Sequence, residues 1–142
     1  MGWTEGETEA RRRFAAARVA TLATATLQGA PHLVPVTFVL EGDTVWWAVD
    51  EKPKRSRALA RLANISAEPR VSLLVDHYDD DWDELWWVRA DGVASITTAG
   101  ADADHALTML AARYEPYRAR PPEGPVVRVD VRRWRWWSAT VT

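Results

Sequence analysis

His32–Leu40, HLVPVTFVL, is a run of β-branched, aromatic and apolar residues with a proline near its centre. Such residues suit a pleated, half-buried strand. Pro35 has no N–H to give to a ladder, so the run belongs at a sheet edge, at a bulge, or where a strand is interrupted by the approach of something else. Before it, Val19–Thr26 alternates large and small apolar residues with threonines, and Gln28-Gly29 offers a turn. The two runs read as a hairpin. After it, Glu41-Gly42-Asp43 is a second tight turn into a third strand, Thr44–Val49.

The rest of the chain continues in the same style. Val71–Val75 is a wholly apolar strand, and Leu85–Ile96 is a long one whose interior Gly92 predicts a bulge or bend. Val126–Trp137 is the last strand, set off by Pro116, Pro121, Pro122 and Pro125. Glu5–Ala17 reads as a helix capped by Thr4, with Arg11, Arg12 and Arg13 facing solvent, lying over the outside of the core. Lys54–Asn64 reads as an amphipathic helix with Leu59 and Leu62 inward. Ala101–Tyr114 repeats Ala106, Leu107, Leu110 and Ala111 at helical spacing. The sum is one mainly β (α+β) domain over residues 1–142, six antiparallel strands with two or three short helices. Tight turns between most strands favour a closed or partly closed barrel over a doubly wound sheet, which needs βαβ alternation.

Composition narrows the function classes. A formal net charge of -2 argues against general nucleic-acid binding, and the absence of cysteine excludes disulfides, thiol catalysis and thiolate metal sites. No apolar run reaches the roughly 20 residues of a membrane span, and the N-terminus lacks a signal-peptide core, so the expectation is a cytoplasmic protein. No Walker loop, dinucleotide glycine fingerprint, nucleophile elbow or zinc-protease helix is present, and no residue is singled out as catalytic. His32, His77 and His105 are far apart and in different elements, which reads as ordinary histidines and no metal site. The run Asp79-Asp80-Asp81 with Asp83 and Glu84 lacks the glycine and distal glutamate of a calcium loop. It reads as a solvated loop, or one that pairs with arginines of a second subunit.

Two features ask for a ligand or a partner. Both lysines of the chain, Lys52 and Lys54, flank Pro53 and are followed by Arg55 and Arg57 at the start of a helix. Unpaired N–H groups and a partial positive charge at a helix start, joined by a mobile ammonium and planar guanidinium forks, suit a phosphate or carboxylate. The plain alternative is a solvated helix start. The second feature is nine tryptophans, seven of them clustered as Trp46-Trp47, Trp86-Trp87, and Trp134 with Trp136-Trp137. Neighbours on a strand face opposite ways, so each pair sends one ring outward, to a subunit interface, a ligand pocket or a covering helix.

Taken together, PVTF, the DEKPKR turn and DHYDDDWDELWWVRADG make the chain resemble the pyridoxamine 5'-phosphate oxidase-like split β-barrel proteins, and among them the small actinobacterial branch that uses the deazaflavin coenzyme F420 in place of FMN. The resemblance runs over more than half the chain. It implies a homodimer with two equivalent clefts between subunits, and a coenzyme phosphate held by Lys52, Lys54, Arg55 and Arg57. It places the coenzyme ring along the second and third strands, at Pro35, Val36, Thr37 and Trp47, with Tyr78, Trp82, Trp87 and the last-strand tryptophans toward the substrate. The implied activity is hydride transfer between reduced deazaflavin and a small-molecule acceptor. Two rival readings use the same turn: an FMN-binding split-barrel oxidase or reductase, and a non-catalytic deazaflavin-binding protein.

Overall fold

The computed structural model describes residues 5–49 and 56–140, and for residues 56–59 the backbone only. The elements in chain order are α1 (Glu5–Ala16), β1 (Ala20–Ala25), β2 (Pro31–Val36), β3 (Val39–Glu41), β4 (Thr44–Ala48), α2 (Ser56–Ala67), β5 (Arg70–His77), β6 (Trp86–Thr97), α3 (Ala101–Arg113), α4 (Glu115–Ala119) and β7 (Val126–Ser138). The strands form one antiparallel sheet in the order β2-β1-β5-β6-β7-β4-β3.

The sheet has seven strands, not six, because the run around Pro35 divides. Pro31–Val36 pairs with β1 at one edge, and Val39–Glu41 pairs with β4 at the other, with only Thr37 and Phe38 between. Two residues cannot span a flat sheet of this width, so the sheet must curl until its edges approach, giving a half-barrel. Pro35 lies opposite Thr21 on the edge strand β2, where its missing N–H costs no central ladder bond.

The corner is held from outside. The Tyr114 hydroxyl accepts from the Phe38 N–H at 3.1 Å and lies 2.8 Å from the Phe38 carbonyl oxygen and 2.9 Å from that of Arg18. Arg113 donates to the Phe38 carbonyl at 2.7 Å and also to that of Ala17, while the hydroxyls of Thr37 and Tyr117 are 2.8 Å apart. Main-chain groups that leave the ladder thus find partners on α3 and α4. Pro116 does not end helical structure, as a proline in the first turn is tolerated, and α4 forms around it.

Inside the half-barrel, Phe38 packs on Phe14 with centroids 4.9 Å apart, and Phe14 meets Trp134 edge-on at 5.1 Å. Leu22, Leu73, Val88, Val129 and Trp47 complete this core. Helix α1 is therefore part of the interior and does not simply lie over it, since Phe14 is fully buried. Of its arginines only Arg12 is well exposed; Arg11 reaches across Trp134 to Asp43 at 2.5 Å, and Arg13 bonds Glu9 and covers Trp86. Helix α2 closes another side with Leu62 and Ile65, and its buried Asn64 donates to Thr24 at 3.3 Å. The expected bulge in the long strand is present at Asp91/Gly92. A Cβ on Gly92 would stand 2.4 Å from the Asp130 carbonyl oxygen, so close approach, not φ, requires the glycine.

Candidate functional site

Alternation along the strands puts Leu22, Leu73, Val88, Ala90 and Trp134 in the core, and their neighbours on the outer face. The register then aligns two rows across five strands. One runs Pro35, Thr21, Leu74, Arg89, Arg135; the next runs Leu33, Ala23, Ser72, Asp91, Arg133. Leu33 and Leu74 on this face are 71% and 36% exposed, with Trp137 at 46%, opposite Trp87.

The centre of the face is a charge cluster. Arg89 donates to both Asp91 carboxylate oxygens, at 2.8 and 3.1 Å, the Ser72 hydroxyl donates at 2.7 Å, and Arg133 approaches at 3.4 Å. Burial pushes the Asp91 carboxyl up, but hydrogen bonds from Arg89 and Ser72 and the charge of Arg89 together hold it below the ordinary carboxylate value. The Asp91 hydrogen bond raises Arg89 correspondingly. One carboxylate shared by two guanidiniums leaves a net positive charge. Around it opens a groove of about 780 Å³, with Arg70 and Arg132 also at its wall and Ala23, Ala25, Pro31, Val71 and Val93 giving it an apolar side. A molecule that carries negative charge beside an apolar part is the ligand class that suits these walls.

The residues singled out from the sequence divide into several groups. Lys52, Lys54 and Arg55 lie outside the described residues, as does the side chain of Arg57, which falls in the first turn of α2; Thr4 also lies outside. Pro35 is exposed on β2, whereas Val36 and Trp47 point into the core, with Trp47 only 1% exposed. A ligand along β2 would meet Pro35 and main chain, not the Val36 or Trp47 side chains. Thr37 is engaged with Tyr117.

Among the tryptophan pairs, the outward ring of the first is covered, not free. Trp46 is buried under α3 against Ala103 and Ala106, with His105 edge-on at 5.9 Å, so a covering helix explains it. Trp134 belongs to the core and bonds Asp43 at 3.1 Å, which removes it from any substrate wall. Trp87 is half-buried on the outer face. Tyr78 and Trp82 are exposed on the loop after β5, with the Trp82 indole N–H 3.4 Å from the Tyr78 hydroxyl. A second groove, of about 510 Å³, lies between α1 and the ends of β6 and β7, walled by Trp136 and Trp137.

The histidines stay apart. His77 stacks on Trp86 at 5.7 Å, His105 bonds Glu41 at 2.9 Å, and His32 is exposed on β2. Among the described residues no group of three His, Cys, Asp or Glu side chains is placed to hold a metal, and no helix is long and apolar enough to cross a membrane. The Ser72–Arg89–Asp91–Arg133 cluster escaped the sequence reading. Its signal was the alternation of Arg89, Asp91 and of Arg133, Arg135 on strands whose intervening residues are apolar.

No curated protein matches the sequence. Among solved structures, a conserved hypothetical protein from Mycobacterium tuberculosis is similar at 26% identity and TM-score 0.75, covering 98% of this chain and 87% of that one. HutZ, the heme storage protein from Vibrio cholerae, is similar at 16% identity and TM-score 0.70 over 93% of each chain. An FAD-binding protein from Mesorhizobium loti is similar at 20% identity and TM-score 0.69 over 91% of each chain. The last two likenesses concern the fold alone. The family model for pyridoxamine 5'-phosphate oxidase matches residues 7–138, nearly the whole length, and the half-barrel has the corresponding fold; the chain belongs to this family.

Proposed function

We propose that the protein is an F420-dependent oxidoreductase of the actinobacterial branch of its family, acting in the cytoplasm as a homodimer on a small-molecule acceptor. The observation that carries this reading is the groove on the outer face, where arginines and an apolar wall of small residues stand side by side. Those walls suit an anionic coenzyme with an apolar part. The bound deazaflavin would supply the hydride. The chain's own work is then to hold the coenzyme, with Lys52, Lys54, Arg55 and Arg57 on its phosphate, to present its ring along Pro35 to Thr37, where Pro35 stands in the row beside the groove, and to exclude water. Hydride transfer needs apposition of two flat molecules more than an acid–base pair, which agrees with a site built of ion pairs and apolar surface. The outer face itself, with Leu33, Leu74 and Trp137 exposed, is the surface by which two copies would pack and enclose the clefts.

A titration of the purified protein with F420 beside FMN and heme tests the reading, followed by turnover with reduced F420 and candidate acceptors. Saturable F420 binding tighter than FMN, with acceptor-dependent oxidation, is the expected result. A purified protein that carries flavin absorption bands would make it an FMN enzyme instead. F420 binding without turnover over a broad acceptor set would make it a deazaflavin-binding protein.

A further inference from the structure

The register of β6 and β7 sets Arg135 directly opposite Arg89 on the outer face. Like charges so placed repel, and the two are not equivalent. Arg89 is held by Asp91, whereas Arg135 has no anionic partner among the described residues. Arg132, at the bulge, is exposed and also has none there.

The reverse imbalance stands at the end of the same sheet. The loop between β5 and β6 carries Asp79, Asp80, Asp81, Asp83 and Glu84, and among the described residues no cation pairs with any of them. Asp79 and Asp81 turn inward on the loop, accepting from the N–H groups of Asp81 at 2.8 Å and Asp83 at 3.1 Å. The loop is thereby shaped, while Asp80, Asp83 and Glu84 project free carboxylates beside Tyr78 and Trp82, which are 66% and 68% exposed. One chain thus presents unpaired cations on its last strand and unpaired anions with exposed aromatic rings on a built loop, and the two sets do not bond within it.

We propose that the acidic loop of one copy docks on the arginine-bearing half of β7 of a second copy, with Asp80, Asp83 and Glu84 neutralising Arg132 and Arg135. A two-fold dimer makes the contact twice. It brings Trp82 and Tyr78 of one copy to the margin of the groove at Arg132 of the other, so each cleft is completed by its partner. The inference rests on the homodimer proposed above and adds its register.

Charge reversal tests it. The two variants are Asp80→Arg/Asp83→Arg in the loop and Arg132→Glu/Arg135→Glu in the strand, compared with the parent by sedimentation velocity at matched low salt. Each variant alone is expected to weaken the dimer by roughly tenfold or more, because like charges then meet in trans. An equimolar mixture of the two is expected to recover a dimer, since a mixed pair has opposite charges at both contacts. Near-equal thermal midpoints of the two variants show that the exposed substitutions leave the fold intact. A parent that is monomeric at tens of micromolar would defeat the homodimer reading itself. A dimeric parent whose variants dimerise equally well, or whose mixture forms no mixed pair, would overturn the docking of this loop and leave the dimer standing.

Discussion

The Phe38 N–H is hydrogen-bonded to the Tyr114 hydroxyl 3.1 Å away, a contact that joins the last residue of α3's C-terminal cap to the two-residue corner between the edges of the sheet. The same hydroxyl approaches the Phe38 and Arg18 carbonyl oxygens. Tyr114→Phe keeps the ring, which is buried against Tyr117, and removes only the oxygen. A buried N–H left without a partner costs about 1–3 kcal/mol, so the variant is expected to lose that much in urea unfolding. Thr37→Val, which removes a half-buried hydroxyl pair with Tyr117, is expected to lose less. Equal stability of Tyr114→Phe and the parent would show that water replaces the hydroxyl at the corner.

Gly92 makes a sharper demand. With a Cβ 2.4 Å from the Asp130 carbonyl oxygen and 2.9 Å from a Val129 methyl, Gly92→Ala must push β6 and β7 apart at the bulge. Overpacking of this kind costs on the order of 1–3 kcal/mol. Gly42 has a φ of +59° and nothing within 4 Å of the added carbon, so Gly42→Ala carries backbone strain alone, about 1 kcal/mol. Denaturant midpoints should therefore fall further for Gly92→Ala than for Gly42→Ala; the reverse order would refute the close-contact explanation.

Gly92 and Pro35 show how much was legible beforehand. Gly92 announced a bulge or bend, and Pro35 an edge, a bulge or an interruption, because each breaks a rule that a plain strand obeys; the register makes the first a bulge and the second an edge. What Pro35 could not announce was that one run serves both edges: strand propensity is continuous from His32 to Leu40, and only pairing with β1 and then β4 divides it. Trp46 shows a second limit. Period-two alternation sends one ring of the Trp46-Trp47 pair outward, but that the ring is Trp46, and that outward means a covering helix, depends on where α3 packs, which is tertiary information. The Arg89–Asp91–Arg133 cluster was hidden for the same reason, since Asp91 and Arg133 meet only through the cross-strand register.

Asp91 gives the site a signature in acid. Its folded-state pKa is depressed, so the stability it contributes is present above its unfolded value and is lost as pH falls through the ordinary carboxylate range toward the lower folded value. Asp91→Asn removes that linkage. Urea unfolding between about pH 3 and pH 6 is expected to show a shallower loss of stability with acid for the variant than for the parent. Asp43 is depressed too: burial pushes it up, but Arg11 and Trp134 outweigh this by hydrogen bonding to it, so the variant keeps part of the slope. Identical acid slopes would mean that the cluster on the outer face does not hold Asp91 ionised more firmly than the unfolded chain does.

The proposed cofactor function divides binding from rate. If Lys54 and Arg55 hold a phosphate remote from the ring, each charge-assisted hydrogen bond contributes about 1.5–3 kcal/mol where it is sheltered. Lys54→Ala and Arg55→Ala are then expected to raise the F420 concentration needed for half-saturation by roughly tenfold or more, with a smaller change in the rate at saturation. Substitution beside the ring should act the other way. Thr37→Val alters the corner that presents the ring and is expected to lower the saturated rate more than the affinity, by misplacing the reacting carbon. Val36→Ala is a poorer probe of the same step, because Val36 packs into the core and its loss also costs stability. Parent-like F420 affinity in both Lys54→Ala and Arg55→Ala, measured at matched ionic strength, would reduce the basic turn to a solvated helix start. It would leave the arginines of the outer face, Arg89 and Arg133, as the residues to which an anionic coenzyme must be referred.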